Sequence, residues 1–103
     1  MQVTQVGPIN AGAAPVHYEI GDQNGVIQLP AGIAVTLDPS LAGVVVTQDA
    51  TGWNFSAPAS MPAATGNITF TDTSSATGGT AVTGVFPCTV NAESVTGLTL
   101  FQQ

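Results

Sequence analysis

The chain of 103 residues contains no lysine and no arginine. Six carboxylates without a cation leave a net charge of −6, whereas about a quarter of the residues of an ordinary soluble protein are charged. Nucleic-acid binding is driven by Lys and Arg displacing counterions from phosphates, so no nucleic-acid partner is expected. The same lack removes attraction to anionic membrane surfaces. It also leaves no fixed cation to stabilise an oxyanion or a phosphoryl transition state. Solubility has to come from Thr, Ser, Asn, Gln and backbone.

Cysteine is nearly absent as well. Cys88 stands alone, which excludes an intramolecular disulfide and a zinc cluster of the usual spacing. Phe86 and Val90, two residues to either side, predict that Cys88 points into a core, where a free thiol packs like a small hydrophobe. No apolar run reaches the length of a membrane span. The opening Met1-Gln2-Val3-Thr4-Gln5 has no basic start, apolar stretch or cleavage site, so no secretory signal is expected. The 12 glycines and 7 prolines are spread so evenly that no helix is expected.

What remains is alternation. Apolar residues make up 44% of the chain, enough for one core without staples, and they recur with period two between turn residues. The expected strands are Gln2 to Val6, closed by Gly7-Pro8; Val16 to Ile20, with Val16, Tyr18 and Ile20 on one face; and Val26 to Leu29 after a tight turn at Asn24-Gly25. Ile33, Val35 and Leu37 share a face of the next strand, which stops at Asp38-Pro39. A hairpin is predicted where Val44 to Gln48 and Trp53 to Ser56 flank Asp49-Ala50-Thr51-Gly52, since Asp bonds its own backbone in turns and Gly supplies positive φ. Ala57 to Ala64 reads as a Pro-rich connection.

Ile68 and Phe70 then alternate in a strand. Ser74 to Gly79 is a polar loop, and a long strand from Thr80 carries Phe86, Cys88 and Val90 on one face. Pro87 on its other face predicts a sheet edge or bulge. In the last run Val95 and Leu98 are out of phase, which a bulge at Gly97 would reconcile. The terminal strands, Val3 with Val6 and Leu98 with Leu100 and Phe101, are expected to pair within the subunit or with a neighbour. Gly7 to Pro15 is flexible enough to let the first strand change sheets. The reading is one all-β domain over residues 1–103, an immunoglobulin-like antiparallel β-sandwich of about seven to nine short strands.

Candidate chemistry is sparse. His17 alone could serve as a base, and alternation puts it exposed beside Glu19, without a defined Ser or Asp partner for a triad. Asp38, Asp49, Asp72 and Glu93 could supply a glycosidase pair, but each is better explained as a turn or strand-end residue. Asp22-Gln23-Asn24-Gly25 is faintly similar to the start of a calcium loop, yet the closing carboxylate is missing, and a hairpin turn fits better. Asn54-Phe55-Ser56 and Asn67-Ile68-Thr69 match the glycosylation acceptor triplet but fall in expected strands. Trp53 with Tyr18 could form an aromatic platform for carbohydrate; a core position between sheets is the stronger reading for the sole Trp. No catalytic group, cofactor or metal is expected.

Val44 to Gln48, the turn at Asp49 to Gly52, the pair Trp53 and Phe55, and Gly66-Asn67-Ile68-Thr69-Phe70-Thr71 give the stretch from Ile33 to Val90 a resemblance to the bacterial and phage immunoglobulin-like (Big-type) modules. That resemblance implies a sandwich of Thr/Ser-rich strands, and the missing catalytic groups and cations point away from an enzyme. The chain is therefore expected to be non-catalytic and to bind protein partners, by self-association or on capsid or tail proteins. A phage virion component on the particle surface, such as a capsid decoration or tail protein, explains most of these features. A surface-adhesion or spacer module of a secreted bacterial protein and a carbohydrate-binding module are the alternatives.

Overall fold

The computed structural model describes residues 3–28, 30–73, 80–93 and 97–102. Nine strands are found there: β1 (Val6–Asn10), β2 (Val16–Tyr18), β3 (Ile20–Gly21), β4 (Ile27–Gln28), β5 (Ile33–Leu37), β6 (Val45–Gln48), β7 (Trp53–Ser56), β8 (Ala64–Asp72) and β9 (Val82–Asn91). A four-stranded sheet in the order β1-β9-β8-β5 faces a three-stranded sheet β2-β7-β6, and β3 and β4 form a separate hairpin. The protein is all-β, with one short 3₁₀ turn at Pro39–Leu41.

Alternation places the core. Trp53 and Phe55 turn inward from β7, Ile68 and Phe70 from β8, and Cys88 and Val90 from β9; all are buried, with Leu41 of the 3₁₀ turn closing one end. Their aromatic rings meet edge to face: Phe70 lies 5.1 Å from Trp53, 6.3 Å from Phe55 and 5.8 Å from Phe86, and Tyr18 lies 5.7 Å from Phe55. Such contacts add about 0.5–1.5 kcal/mol each beyond area burial. They tie the two sheets through Phe70.

The predicted hairpin is present, with Val45↔Ser56 through Gln48↔Trp53 in register around Asp49 to Gly52, but Gly52 does not take the expected positive φ; it is needed because a Cβ would meet the Tyr18 backbone. The strand over Ile33 to Leu37 is also present, antiparallel to β8. At its end the Asp38 N–H donates to the Asn67 carbonyl, and the Asp38 carboxylate accepts the Asn67 N–H at 2.8 Å. A side chain thus continues the ladder where Pro39 turns the backbone away.

Several expectations need correction. The first strand is not Gln2 to Val6: it is Val6–Asn10, and Gly7-Pro8 lies inside it. Val6 pairs with Cys88 and Ile9 with Val90, three residues against two, which is a bulge. Without the bulge Val6 and Ile9 would face opposite sides; with it both are buried. Gly7 has φ +96, and a Cβ there would sit 2.6 Å from the Ile9 nitrogen, so glycine is required. β1 also runs parallel to β9, so the sandwich is not wholly antiparallel.

The strand expected over Val16 to Ile20 is split at Glu19 into β2 and β3, and Val16 is exposed. The hairpin at Asn24-Gly25 exists, but its loop is longer, spanning Asp22 to Val26 between Gly21 and Ile27. Residues 97–102 form no strand, and Leu98, Leu100 and Phe101 are exposed, so this run does not pair within the subunit. Val95, on which the Gly97 bulge depended, and the Ser74 to Gly79 loop lie outside the described residues, as does Leu29.

β9 lies between β1 and β8, but β1 pairs only from Cys88 onward, so Pro87 sits on a local edge of the sheet, as expected. It pairs with Asn67, whose N–H and C=O are both turned to Asp38. In an antiparallel ladder this makes Asn67 and Pro87 a non-hydrogen-bonded pair, so the Pro87 nitrogen faces away from β8. On that side β1 pairing begins only at Cys88, and no donor is needed.

Candidate functional site

A polar cluster is built around His17. β2 and the β6–β7 hairpin pair through Val16↔Phe55, His17↔Asn54 and Tyr18↔Trp53, which brings the hairpin tip against Glu19. The approach is close: a Cβ at Gly52 would collide with the Tyr18 carbonyl and lie 3.1 Å from the Glu19 side chain. His17 Nε2 lies 3.1 Å from a Glu19 oxygen and 3.3 Å from Thr51 Oγ1. Nδ1 lies 3.2 Å from Asp49 Oδ2 and 3.1 Å from Asn54 Oδ1.

Electrostatics follow from these contacts. The hydrogen bonds to Glu19 and then Asn54, helped by the Asp49 charge, raise the His17 pKa above its usual value. Asp49 accepts the N–H groups of Thr51 and Gly52, each at 2.9 Å, and the Asn54 amide at 2.9 Å. Led by the Thr51 bond, this lowers its pKa to about 2.

Chemically the cluster favours keeping a proton over delivering one. Thr51, His17 and Asp49 superficially line up as nucleophile, base and orienter. However, Glu19 shares Nε2, and the Thr51 hydroxyl also reaches Asp49 Oδ1 at 3.3 Å. The sequence located His17 beside Glu19; Asp49, Asn54 and Thr51 join only through strand pairing across more than thirty residues.

The other candidates separate in space. Trp53 is 2% exposed and meets Phe70 edge to face, so it presents no ring face to a sugar. Tyr18 is half-buried, and its hydroxyl accepts the Gly7 N–H at 2.7 Å. The pair is therefore a core element and a clasp holding β1 to β2.

Asp22 spends its carboxylate on the N–H groups of Asn24 and Val26, at 2.8 and 3.0 Å, and the turn has no ring of converging oxygens. Among the described residues no group of three or more His, Cys, Asp and Glu is placed to hold a metal. Asp38 and Asp49 serve turns on different sheets. Asn54 and Asn67 both lie in strands. Cys88 is buried, and burial raises its thiol pKa. No helix is long and apolar enough to cross a membrane among the described residues.

Two surface features lie apart from these side-chain sites. The outer face of the four-stranded sheet alternates away from the core, and the register aligns Ala34, Thr71 and Thr83 in one row and Thr36, Thr69 and Val85 in the next. Asn67 and Pro87, then Thr65 and Thr89, continue it. None of these residues is charged. The second feature is an open groove of about 620 Å³ beside the β3–β4 hairpin, lined by residues that include Ile20, Ile27, Phe70 and Phe86. No family model, curated protein or solved structure matches the chain.

Proposed function

We propose that the protein is a non-catalytic, immunoglobulin-like structural module that binds other proteins on a virus particle, as a phage capsid decoration or tail component. The observation carrying this reading is the uncharged, Thr-rich outer face of β5, β8 and β9. Thr hydroxyls and methyls in cross-strand rows give a flat surface that can dock without desolvating an ion. On a chain of net charge −6 such a face is where a partner meets least electrostatic cost. The strand order supports the immunoglobulin-like part: β5, β8 and β9 opposite β2, β7 and β6 follows the C, F, G against B, E, D arrangement, with the first strand carried over to the last.

The test is particle composition. Phage particles whose genome carries this reading frame, treated with nuclease and washed at high salt, should retain the chain in fixed ratio to a capsid or tail protein. Thr69→Lys with Thr83→Lys should reduce that retention while leaving the fold intact. Particles lacking the chain, together with its recovery as a segment of a longer secreted polypeptide, would replace this reading by the adhesion or spacer one.

A further inference from the structure

We propose that the segment Gly97–Gln102 of one copy docks into the groove beside the β3–β4 hairpin of a second copy, so that the protein associates head to tail. Three observations converge on this pairing. The segment carries Leu98, Leu100 and Phe101 at 94%, 97% and 75% exposure. A cluster of large apolar side chains left in water is a partner's contact surface or an aggregation hazard. Beside the β3–β4 hairpin lies a groove whose apolar lining includes Ile20, Phe70 and Phe86, with Ile27 49% exposed.

The groove and the point where the chain leaves the sheet toward this segment lie at opposite ends of β9. The groove and its continuation reach Ile33, Asp72, Val82 and Gly84, where β8 ends and β9 begins. The chain leaves β9 at Asn91, beside Asn10 and near Ala64. Seven residues separate Gly84 from Asn91, about 23 Å along a strand. A surface in one place and its complement in another form a heterologous contact, which propagates or closes a ring.

Charge narrows the occupant. The ionisable groups lining the groove include Glu19 and Asp22 with His17, on balance acidic, so it disfavours an acidic guest, and Gly97–Gln102 contains no ionisable side chain. Leu98 and Leu100, two apart, reach the same side when extended and can enter the groove together. Two copies of net charge −6 repel at long range, so added salt should strengthen the association, opposite to a contact built on ion pairs. The inference is independent of whether the partner particle is viral, because it concerns only two copies of this chain.

The experiment uses analytical ultracentrifugation of the whole chain at low and at high salt. The native protein should associate with rising concentration, and more strongly at high salt. A triple variant of the segment, Leu98→Ser, Leu100→Ser and Phe101→Ser, and a groove variant, Ile27→Asp, should each weaken self-association at least about tenfold, the effect of burying a few fewer methylenes. All four positions are exposed, so folding is preserved. Each variant retains one intact half, so an equimolar mixture should form a heterodimer and nothing larger. A native protein that stays monomeric at millimolar concentration would overturn the proposal, as would undiminished association of the segment variant or a mixture that fails to dimerise.

Discussion

Two hairpins of this molecule are both turned on an Asp carboxylate and come to different ends. At the β3–β4 hairpin the Asp22 carboxylate accepts two backbone N–H groups and Gly25 takes φ +78. At the β6–β7 hairpin the Asp49 carboxylate does the same for Thr51 and Gly52. Yet β7 drives Trp53 and Phe55 into the core, while Val26 and Ile27 of the first hairpin remain about half exposed. A turn sets where a chain reverses; burial on the flanking strands sets how firmly it is held.

The largest break in that comparison should come from the core side. Phe55→Ala removes a fully buried ring between Tyr18 and Phe70 and should cost about 3–5 kcal/mol by urea denaturation. Ile27→Ala, on the other hairpin, should cost under about 1 kcal/mol, since much of that side chain already meets water. Equal losses would contradict the claim that packing separates the hairpins.

Glycine positions sharpen the same contrast. Gly52→Ala must displace the Tyr18 backbone and should cost about 2–3 kcal/mol. Gly25→Ala meets nothing within 4 Å and is opposed only by its positive φ, at about 1 kcal/mol. Thermal unfolding of the two variants side by side would test the order.

The smallest effects are electrostatic and confined to the second hairpin. Asp49, lowered from 3.8 to about 2, contributes stability that is present above pH 4 and lost as pH falls through about 2. His17, raised above 6.5, contributes stability present below pH 6.5 and lost as pH rises through its folded pKa. His17→Gln should therefore remove the alkaline-side loss and leave the acid-side loss mostly in place. A His17 imidazole titrating at or below 6.5 by NMR would refute the clustered geometry.

How much of this was legible in the sequence follows the same division between local and distant causes. Asp49 to Gly52 declares a turn within four residues, and the period-two runs on either side fix which residues face inward. β5, β8 and the inward set of β9 were readable for the same reason. β1 was not, because its place depends on a partner about eighty residues away and on a bulge that changes phase mid-strand. A signal was present: Val6 and Ile9 have odd spacing around a glycine, the argument applied instead at Gly97. The His17 cluster was half legible, since Glu19 is two residues away whereas Asp49 arrives only when β2 pairs with β7. The uncharged outer face needed the cross-strand register, which no single strand contains.

Pro87 has a consequence for how the protein avoids its own kind of error. Ahead of Cys88, the side of β9 away from β8 is not covered by β1, and bare strand margins invite extended segments to add on and seed fibrils. A ring nitrogen without hydrogen, turned to that margin just where pairing with β1 starts, interrupts the row of donors that an intruding strand would need. Proline there acts as a gatekeeper against amyloid-like growth, at a site where the native ladder loses nothing by it.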